Sequence, residues 1–155
     1  MNNKANKKIK NASKVIYDGI EFRSKLEVYC YKKLKEEGIE FKYESYTYNL
    51  VPTFKYKFKM YEPYKKDGSK WILTEKTNLI RGMSYTPDFV NEEEHWIIEC
   101  KGQANDAFPL KWKLFKYLLS QLNLDFDLYL PKNHQHIDEC IKLIKENNAG
   151  RKRLF

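Results

Sequence analysis

Residues Ser84–Gly102 read SYTPDFVNEEEHWIIECKG, and their pattern sets the expectations for the rest of the chain. The apolar run after the three glutamates predicts a strand over 95–101. Residues i and i+2 of a strand share a face, so Glu99 and Lys101 should leave this strand together at its end. Asp88 comes eleven residues before Glu99 and directly after a proline, which favours an edge or irregular strand. The pattern therefore predicts two carboxylates and one ammonium at neighbouring strand ends.

These three side chains suit the hydrolysis of a phosphodiester. That reaction needs an activated water, a cation that neutralises charge in the transition state, and help for the leaving oxygen. Asp88 and Glu99 are oxygen ligands of the kind that Mg²⁺ takes, and the backbone carbonyl of Cys100 is a natural additional ligand. The ammonium of Lys101 could orient the attacking water or stabilise the developing charge. The alternative is a surface salt bridge, because these residue types are common at strand ends.

A fourth acidic residue lies in the first predicted helix. Ser24 is typical of a helix N-cap, and Glu27 holds the third helical position, as in a capping box. Apolar residues at helical spacing continue the helix as far as Gly38, which ends it. Glu27 either caps this helix or reaches the same cation as Asp88 and Glu99.

The remaining elements follow from periodicity and turn residues. Two short apolar runs around Asp18-Gly19 predict a small hairpin. Alternation predicts strands over 39–50, 51–61, 71–79 and 126–130, and helical spacing predicts helices over 106–122 and 136–147. The predicted buried face of the 106–122 helix comprises Leu110, Leu114, Tyr117, Leu118 and Gln121. This order predicts an α/β fold, with a mixed central β-sheet flanked by helices.

Aromatic residues are frequent between residues 46 and 84. Tyr46, Tyr48, Tyr56 and Tyr61 belong to stretches that alternate with polar residues, as in strands. Such rings either pack a sheet core or provide surfaces on which splayed bases stack. The core is the commoner outcome, so we expect these tyrosines to be core residues.

Composition favours a folded, basic and reduced protein. The 155 residues are 42% hydrophobic and 15% aromatic, which is enough for one domain with a continuous core. The 29 Lys and Arg residues against 21 Asp and Glu residues give a formal charge of +8, so nucleic acid is the first candidate partner. Cys30, Cys100 and Cys140 show no C-x-x-C spacing and are expected to be reduced packing residues.

The two ends of the chain are basic and polar. Residues 1–14 carry lysines without an acid and are expected to form a flexible basic arm, followed by a single domain over 15–148 and a basic tail over 149–155. The N-terminus lacks the apolar core of a signal peptide, and no apolar run reaches the ~18 residues of a membrane span. We therefore expect a cytoplasmic protein without a membrane partner.

Pro87-Asp88 followed by Glu99-Cys100-Lys101 resembles the motif of the PD-(D/E)XK nuclease superfamily. Further blocks are similar to the phage endonuclease I family of Holliday-junction resolvases, namely FRSKLE at 22–27, GIEFKYE at 38–44, YTPDF at 85–89 and ECKG at 99–102. A block at 108–115, FPLKWKLF, resembles a family of uncharacterised phage and prophage nucleases of the same superfamily. Together the blocks cover about residues 15–120.

This resemblance implies a restriction-endonuclease-like core and a DNA endonuclease that depends on Mg²⁺ or Mn²⁺. It implies that Glu27, Asp88 and Glu99 are metal ligands and that Lys101 is the catalytic lysine. A branched substrate, such as a Holliday junction in phage recombination or genome processing, is the expected DNA. A homodimer would then be expected, because two symmetric cuts need two active sites.

Polar residues near the site in sequence are candidate DNA contacts. The set comprises Arg23, Lys25, Gln103, Lys111 and Lys113. Cations of this kind hold the phosphate backbone and make binding salt-dependent. The alternative is that the lysines are merely solvated surface residues.

Two further hypotheses use the same fold. One is a catalytically silent DNA-binding accessory protein, and the other is a restriction-type nuclease that cuts linear duplex at a fixed sequence. The chain also departs from the endonuclease I pattern by a longer aromatic hairpin between Tyr46 and Ser84. This departure weighs against carrying over the junction specificity and the domain-swapped dimer of that family.

Overall fold

The computed structural model describes residues 14–66, 68 and 70–151. Apart from Lys14, the predicted basic arm lies outside the described residues, as do residues 152–155 of the predicted tail. Residues 149–151, which were assigned to the tail, continue the last helix. The chain forms two compact units, one made of residues 48–85 and one made of the chain on either side of that segment.

Twelve strands and three helices are present in the described ranges. In chain order they are β1 (Val15–Tyr17), β2 (Ile20–Phe22), α1 (Lys25–Glu36), β3 (Lys42–Tyr43), β4 (Tyr48–Val51), β5 (Phe54–Lys55), β6 (Met60–Lys66), β7 (Lys70–Lys76), β8 (Leu79–Ile80), β9 (Met83–Tyr85), β10 (Phe89–Asn91), β11 (Trp96–Ile98), α2 (Phe108–Gln121), β12 (Asp127–Tyr129) and α3 (His134–Arg151). No helix among these combines the length and the hydropathy needed to cross a bilayer.

The central sheet of the larger unit has the strand order β12-β11-β10-β3. β10 runs antiparallel to both β3 and β11, whereas β11 runs parallel to β12. The strand predicted over 95–101 is thus an interior strand, with Ile97 opposite Val90 on one side and Leu128 on the other. The predicted mixed α/β fold with a mixed central sheet is confirmed.

The core of this unit lies between the sheet and helices α1 and α3. Ile98 and Cys100 of the β11 segment join Leu34 of α1 and Ile137 and Ile144 of α3 in one cluster of buried residues. Because side chains alternate along a strand, Glu99 and Lys101 leave on the opposite face from this cluster. All three cysteines are buried and reduced, as predicted.

Helix α1 begins where the capping signal predicts. The hydroxyl of Ser24 accepts a hydrogen bond from the backbone N–H of Glu27 at 3.2 Å. Gly38 follows the helix with a φ of +64°, the left-handed conformation that glycine adopts without strain. The predicted hairpin before the helix is also present, with Asp18 and Gly19 at φ values of +52° and +74°.

Helix α2 buries a different face from the predicted one. Phe108, Phe115 and Leu119 are buried, whereas Leu110 and Tyr117 are exposed. Of the other residues assigned to the buried face, Leu114 and Leu118 are half-buried and Gln121 is exposed. Both sets follow helical spacing, so the period alone does not select which face is buried.

Residues 48–85 form an interrupted antiparallel hairpin. β4 pairs with β9, β5 with β8, and β6 with β7, so the pairs are nested around the turn at Gly68. The single strand predicted over 39–50 is wrong, because Glu44 adopts a φ of +43° and separates β3 from β4. The strand predicted over 51–61 is likewise broken into β5 and the start of β6.

The prediction that the four tyrosines in and beside this region are core residues is wrong. Tyr46, Tyr56 and Tyr61 are exposed, and Tyr48 is half-buried. Alternation along a strand specifies two faces, but a face becomes core only where a second layer covers it.

Candidate active site

Asp88 lies between β9 and β10, directly before the first residue of β10, an inner strand of the central sheet. Pro87 precedes it and is fully buried, which prevents a regular strand from running through this point. The backbone carbonyl of Asp88 accepts from the N–H of Glu44 at 2.8 Å, and its side-chain Oδ2 accepts from the N–H of Cys100 at 2.7 Å. The carboxylate is therefore held by the backbone of the segment that carries Glu99 and Lys101.

Glu99 and Lys101 lie just beyond β11, where the backbone is still paired with its parallel neighbour. The N–H of Glu99 donates to the carbonyl of Tyr129, and the N–H of Lys101 donates to that of Pro131, both at 2.9 Å. This pairing keeps the alternation of a strand, so the two side chains lie on one face, as predicted. Glu99 Oε1 and Lys101 Nζ are 4.0 Å apart.

A second contact positions the ammonium of Lys101. Its Nζ lies 4.8 Å from the ring centroid of Phe108, the first residue of α2. The ring attracts the cation and restricts its flexible side chain. Lys101 thus lies between a buried carboxylate and an aromatic face while remaining partly exposed.

Glu27 is buried at the N-terminus of α1 and accepts three hydrogen bonds. Its Oε1 accepts from the hydroxyl of Ser24 at 2.7 Å, and its Oε2 accepts from the hydroxyl of Tyr43 at 2.8 Å and the N–H of Arg23 at 3.1 Å. The Ser24 hydroxyl caps the N–H of Glu27 as in a capping box, but the Glu27 carboxylate accepts from the Ser24 hydroxyl and the N–H of Arg23 rather than from the N–H of Ser24. Its role as a metal ligand stays a prediction.

The three carboxylates influence one another electrostatically. Glu27, Asp88 and Glu99 are 5%, 6% and 5% exposed. Burial raises the pKa of Asp88 well above its ordinary value, and repulsion from Glu99 and then Glu27 raises it further. The N–H of Cys100 and the charge of Lys101 oppose this shift with smaller effects. Glu27 of α1, Asp88 before β10 and Glu99 after β11 therefore form one acidic cluster rather than three separate surface residues.

Asp88 and Glu99 carry oxygen ligands of the type that Mg²⁺ takes. This ion takes one or two protein carboxylates and completes its shell with water and phosphate oxygens. Among the described residues, no group of three or more His, Cys, Asp or Glu side chains has the arrangement of a metal site. Oε1 of Glu27 already accepts a hydrogen bond and keeps a lone pair for a further contact, so Glu27 stays a predicted ligand beside Asp88 and Glu99.

The predicted DNA contacts all belong to the larger unit. Arg23, Lys25, Gln103 and Lys113 are exposed, and Lys111 is half-buried. Arg23 forms an ion pair of 2.9 Å with Glu44, the residue whose N–H binds the carbonyl of Asp88. Their roles toward DNA stay predictions.

Sequence reasoning gave no role to Tyr43, which the structure brings to the site. β3 pairs with β10 so that Tyr43 lies opposite Phe89, next to Asp88 in the chain. Burial, followed by the hydrogen bond to Glu27, raises the pKa of the Tyr43 hydroxyl, so that group remains a donor. The block GIEFKYE contained this residue, but its partner became visible only with the strand pairing.

A family model matches a stretch of the chain that includes all four predicted catalytic residues. Residues 7–135 match the family described as "Protein of unknown function (DUF1064)". The chain belongs to this family. The DUF1064 match includes Glu27, Asp88, Glu99 and Lys101 and ends at the start of α3. No significant match was found among curated proteins or among solved structures.

Proposed function

We propose that this DUF1064 chain is a DNA endonuclease that depends on Mg²⁺ or Mn²⁺. One observation carries the proposal. Glu27, Asp88 and Glu99 come from three separate segments of the chain and are buried together. The ammonium of Lys101 lies 4.0 Å from the carboxylate of Glu99. Buried ions cost several kcal/mol unless they are paired or bind a metal. A cluster in which carboxylates repel one another is complementary to a divalent cation.

The residues of the chain have separate roles in this proposal. A bound cation would supply Lewis acidity to a phosphate oxygen and would lower the pKa of a bound water. Asp88, fixed by the N–H of Cys100, and Glu99 would hold that cation. Lys101 would donate to a phosphate oxygen or to the attacking water, because its ammonium is partly exposed beside Glu99. Glu27 would add negative charge and fix the N-terminus of α1 against β3.

The substrate side of the proposal is supported by charge and by the sequence resemblance. The chain carries a formal charge of +8, and the exposed cation Lys25 lies two residues from the buried acid Glu27 in sequence. Such an arrangement attracts a polyanion while the buried carboxylates select a metal. We propose branched DNA as the substrate, a homodimer as the active form and the cytoplasm as the location, as expected from the sequence.

The experiment is a cleavage assay on supercoiled plasmid, linear duplex and a four-way junction, each with Mg²⁺ or with EDTA. We expect Mg²⁺-dependent nicking by the wild type and a rate at least ~10²-fold lower for Lys101→Ala, the usual effect of removing a group that assists proton transfer. DNA affinity should change little. Lys142→Ala, an exposed lysine of α3, is the matched control and should cleave normally.

The outcomes separate the three hypotheses. Binding without metal-dependent nicking would contradict the enzyme proposal and favour a silent DNA-binding protein. Cleavage of linear duplex at one fixed sequence would favour a restriction-type nuclease over a junction-specific one. Equal cleavage by wild type and Lys101→Ala would remove the lysine from the mechanism.

A further inference from the structure

Aromatic and lysine residues alternate along one short segment of the smaller unit. Residues 54–59 read FKYKFK. Phe54, Tyr56 and Phe58 are 43%, 42% and 71% exposed, and the three lysines between and after them are exposed as well. Core packing within residues 48–85 therefore does not account for these rings.

A shallow cavity of about 380 Å³ lies beside this segment. Lys57, Phe58, Lys59, Glu75 and Lys76 line it, together with two polar residues. The N–H of Tyr56 donates to the carbonyl of Asn78 at 2.7 Å, which fixes the segment against the connection between β7 and β8. Lys59 and Glu75 form an ion pair of 3.9 Å, so the cavity keeps an excess of positive charge.

The charge of the whole hairpin has the same sign. Residues 48–85 contain seven lysines and one arginine but three acidic residues, so most of the formal +8 charge lies in this segment. β6 and β7 add further exposed rings, Tyr61, Tyr64 and Trp71. The ammonium of Lys76 lies 4.8 Å from the ring centroid of Tyr64, which places this cation at the surface beside the cavity.

We propose that Lys57, Phe58, Lys59 and Lys76, the lysine-aromatic surface, bind single-stranded DNA. The cavity would take a backbone phosphate, and the ring of Phe58 would stack on an unpaired base. Proteins that bind single strands without reading sequence combine cations that follow the backbone with rings on which bases stack. A duplex offers the phosphates but not the base faces, so the exposed ring favours an unpaired strand. This inference rests on the proposed function. It adds that the hairpin would hold an unpaired strand of the DNA substrate.

The test measures fluorescence anisotropy of a labelled oligothymidylate in EDTA, where no cleavage occurs. Phe58→Ala should weaken binding roughly 5- to 100-fold, the range found when one stacking ring is removed. Phe58→Leu keeps an apolar side chain without the π face and should also weaken binding. Tyr117→Ala, an exposed tyrosine of α2, is the matched control and should bind within about twofold of wild type.

A double variant, Lys57→Gln with Lys76→Gln, tests the phosphate contact. The slope of log affinity against log salt should decrease by about 0.7, because the cavity would hold one phosphate and each phosphate contact to a single strand contributes about 0.7. Lys14→Gln with Lys142→Gln removes the same charge from exposed positions of the larger unit and should leave the slope near its wild-type value. Phe58 is mostly exposed, so the unfolding midpoints of its variants should match that of the wild type.

The inference is overturned if these hairpin variants keep the wild-type affinity for a single strand and the wild-type salt slope. It is also overturned if they lose affinity for duplex and for single strand equally. The result is separable from the cleavage assay. Loss of single-strand binding by the hairpin variants in a chain that never cleaves would contradict the proposed function alone. Normal Mg²⁺-dependent cleavage with unchanged binding by the variants would contradict this inference alone.

Discussion

Asp88→Asn should change stability in opposite directions with and without a divalent metal. In the metal-free protein, the charge of Asp88 is buried beside two other carboxylates that raise its pKa. The folded chain therefore binds this proton more tightly than the unfolded chain does. Its contribution to stability falls as pH rises through the raised pKa. Asparagine removes the charge and keeps an oxygen that can accept the 2.7 Å hydrogen bond from Cys100.

The size of the effect follows from the burial. Poorly compensated buried polar groups cost ~1–3 kcal/mol in protein mutational data, so the variant should be about 1–3 kcal/mol more stable than wild type at pH 8 in EDTA. For a chain of this length that corresponds to a rise of roughly 2–12 °C in Tm. With Mg²⁺ at 100 times its Kd, the free energy of unfolding of the wild type should rise by about 2.7 kcal/mol. The variant should not show this increase.

Thermal unfolding from pH 5 to pH 8.5, in EDTA and in Mg²⁺, measures both effects. The difference between variant and wild type in EDTA should grow with pH, and Mg²⁺ should reduce or reverse it. Glu92→Gln, which removes an exposed carboxylate paired with Lys42, is the control. It should change neither the stability in EDTA nor the stabilisation by Mg²⁺. The reasoning is refuted if the variant is less stable than wild type in EDTA at pH 8 and both gain equally from Mg²⁺.

Two other substitutions test the supports of the site and of the hairpin. Tyr43→Phe removes a 2.8 Å hydrogen bond to the buried carboxylate of Glu27 and should cost ~1.5–3 kcal/mol in urea unfolding, whereas an unchanged midpoint would show that the bond contributes nothing. Gly82→Ala would place a Cβ 2.6 Å from the carbonyl oxygen of Val51 and 2.8 Å from the backbone nitrogen of Thr53, so amide exchange in 48–55 and 79–85 should accelerate. Unchanged exchange there would contradict the close approach.

The parts of the fold predicted from sequence depend on local signals. Ser24, Glu27 and Gly38 carry the start and end of α1 within a few residues of chain, and the structure has the helix where they place it. The placement of Glu99 and Lys101 on one face required only the two-residue period of a strand. Their proximity to Asp88 also came from the order of strands, since β10 and β11 are consecutive and antiparallel.

Other features depend on distant contacts that the sequence does not display. Which face of α2 is buried was open, because apolar residues occur on both faces, and packing selects Phe115 and Leu119. The exposure of Tyr56 and Tyr61 follows from the absence of a covering layer, which alternation cannot reveal. The hydrogen bond from Tyr43 to Glu27 likewise joins residues brought together by the pairing of β3 with β10.

The most direct test of the account is a diffraction experiment at the manganese absorption edge on crystals soaked in Mn²⁺. The account predicts an anomalous peak about 2.0–2.4 Å from carboxylate oxygens of both Asp88 and Glu99, the range for hard divalent cations with oxygen ligands. Glu27 and Lys101 should lie around the same peak. Anomalous density confined to exposed acids such as Glu92 and Glu93, with Asp88 and Glu99 free of metal, would contradict the central claim.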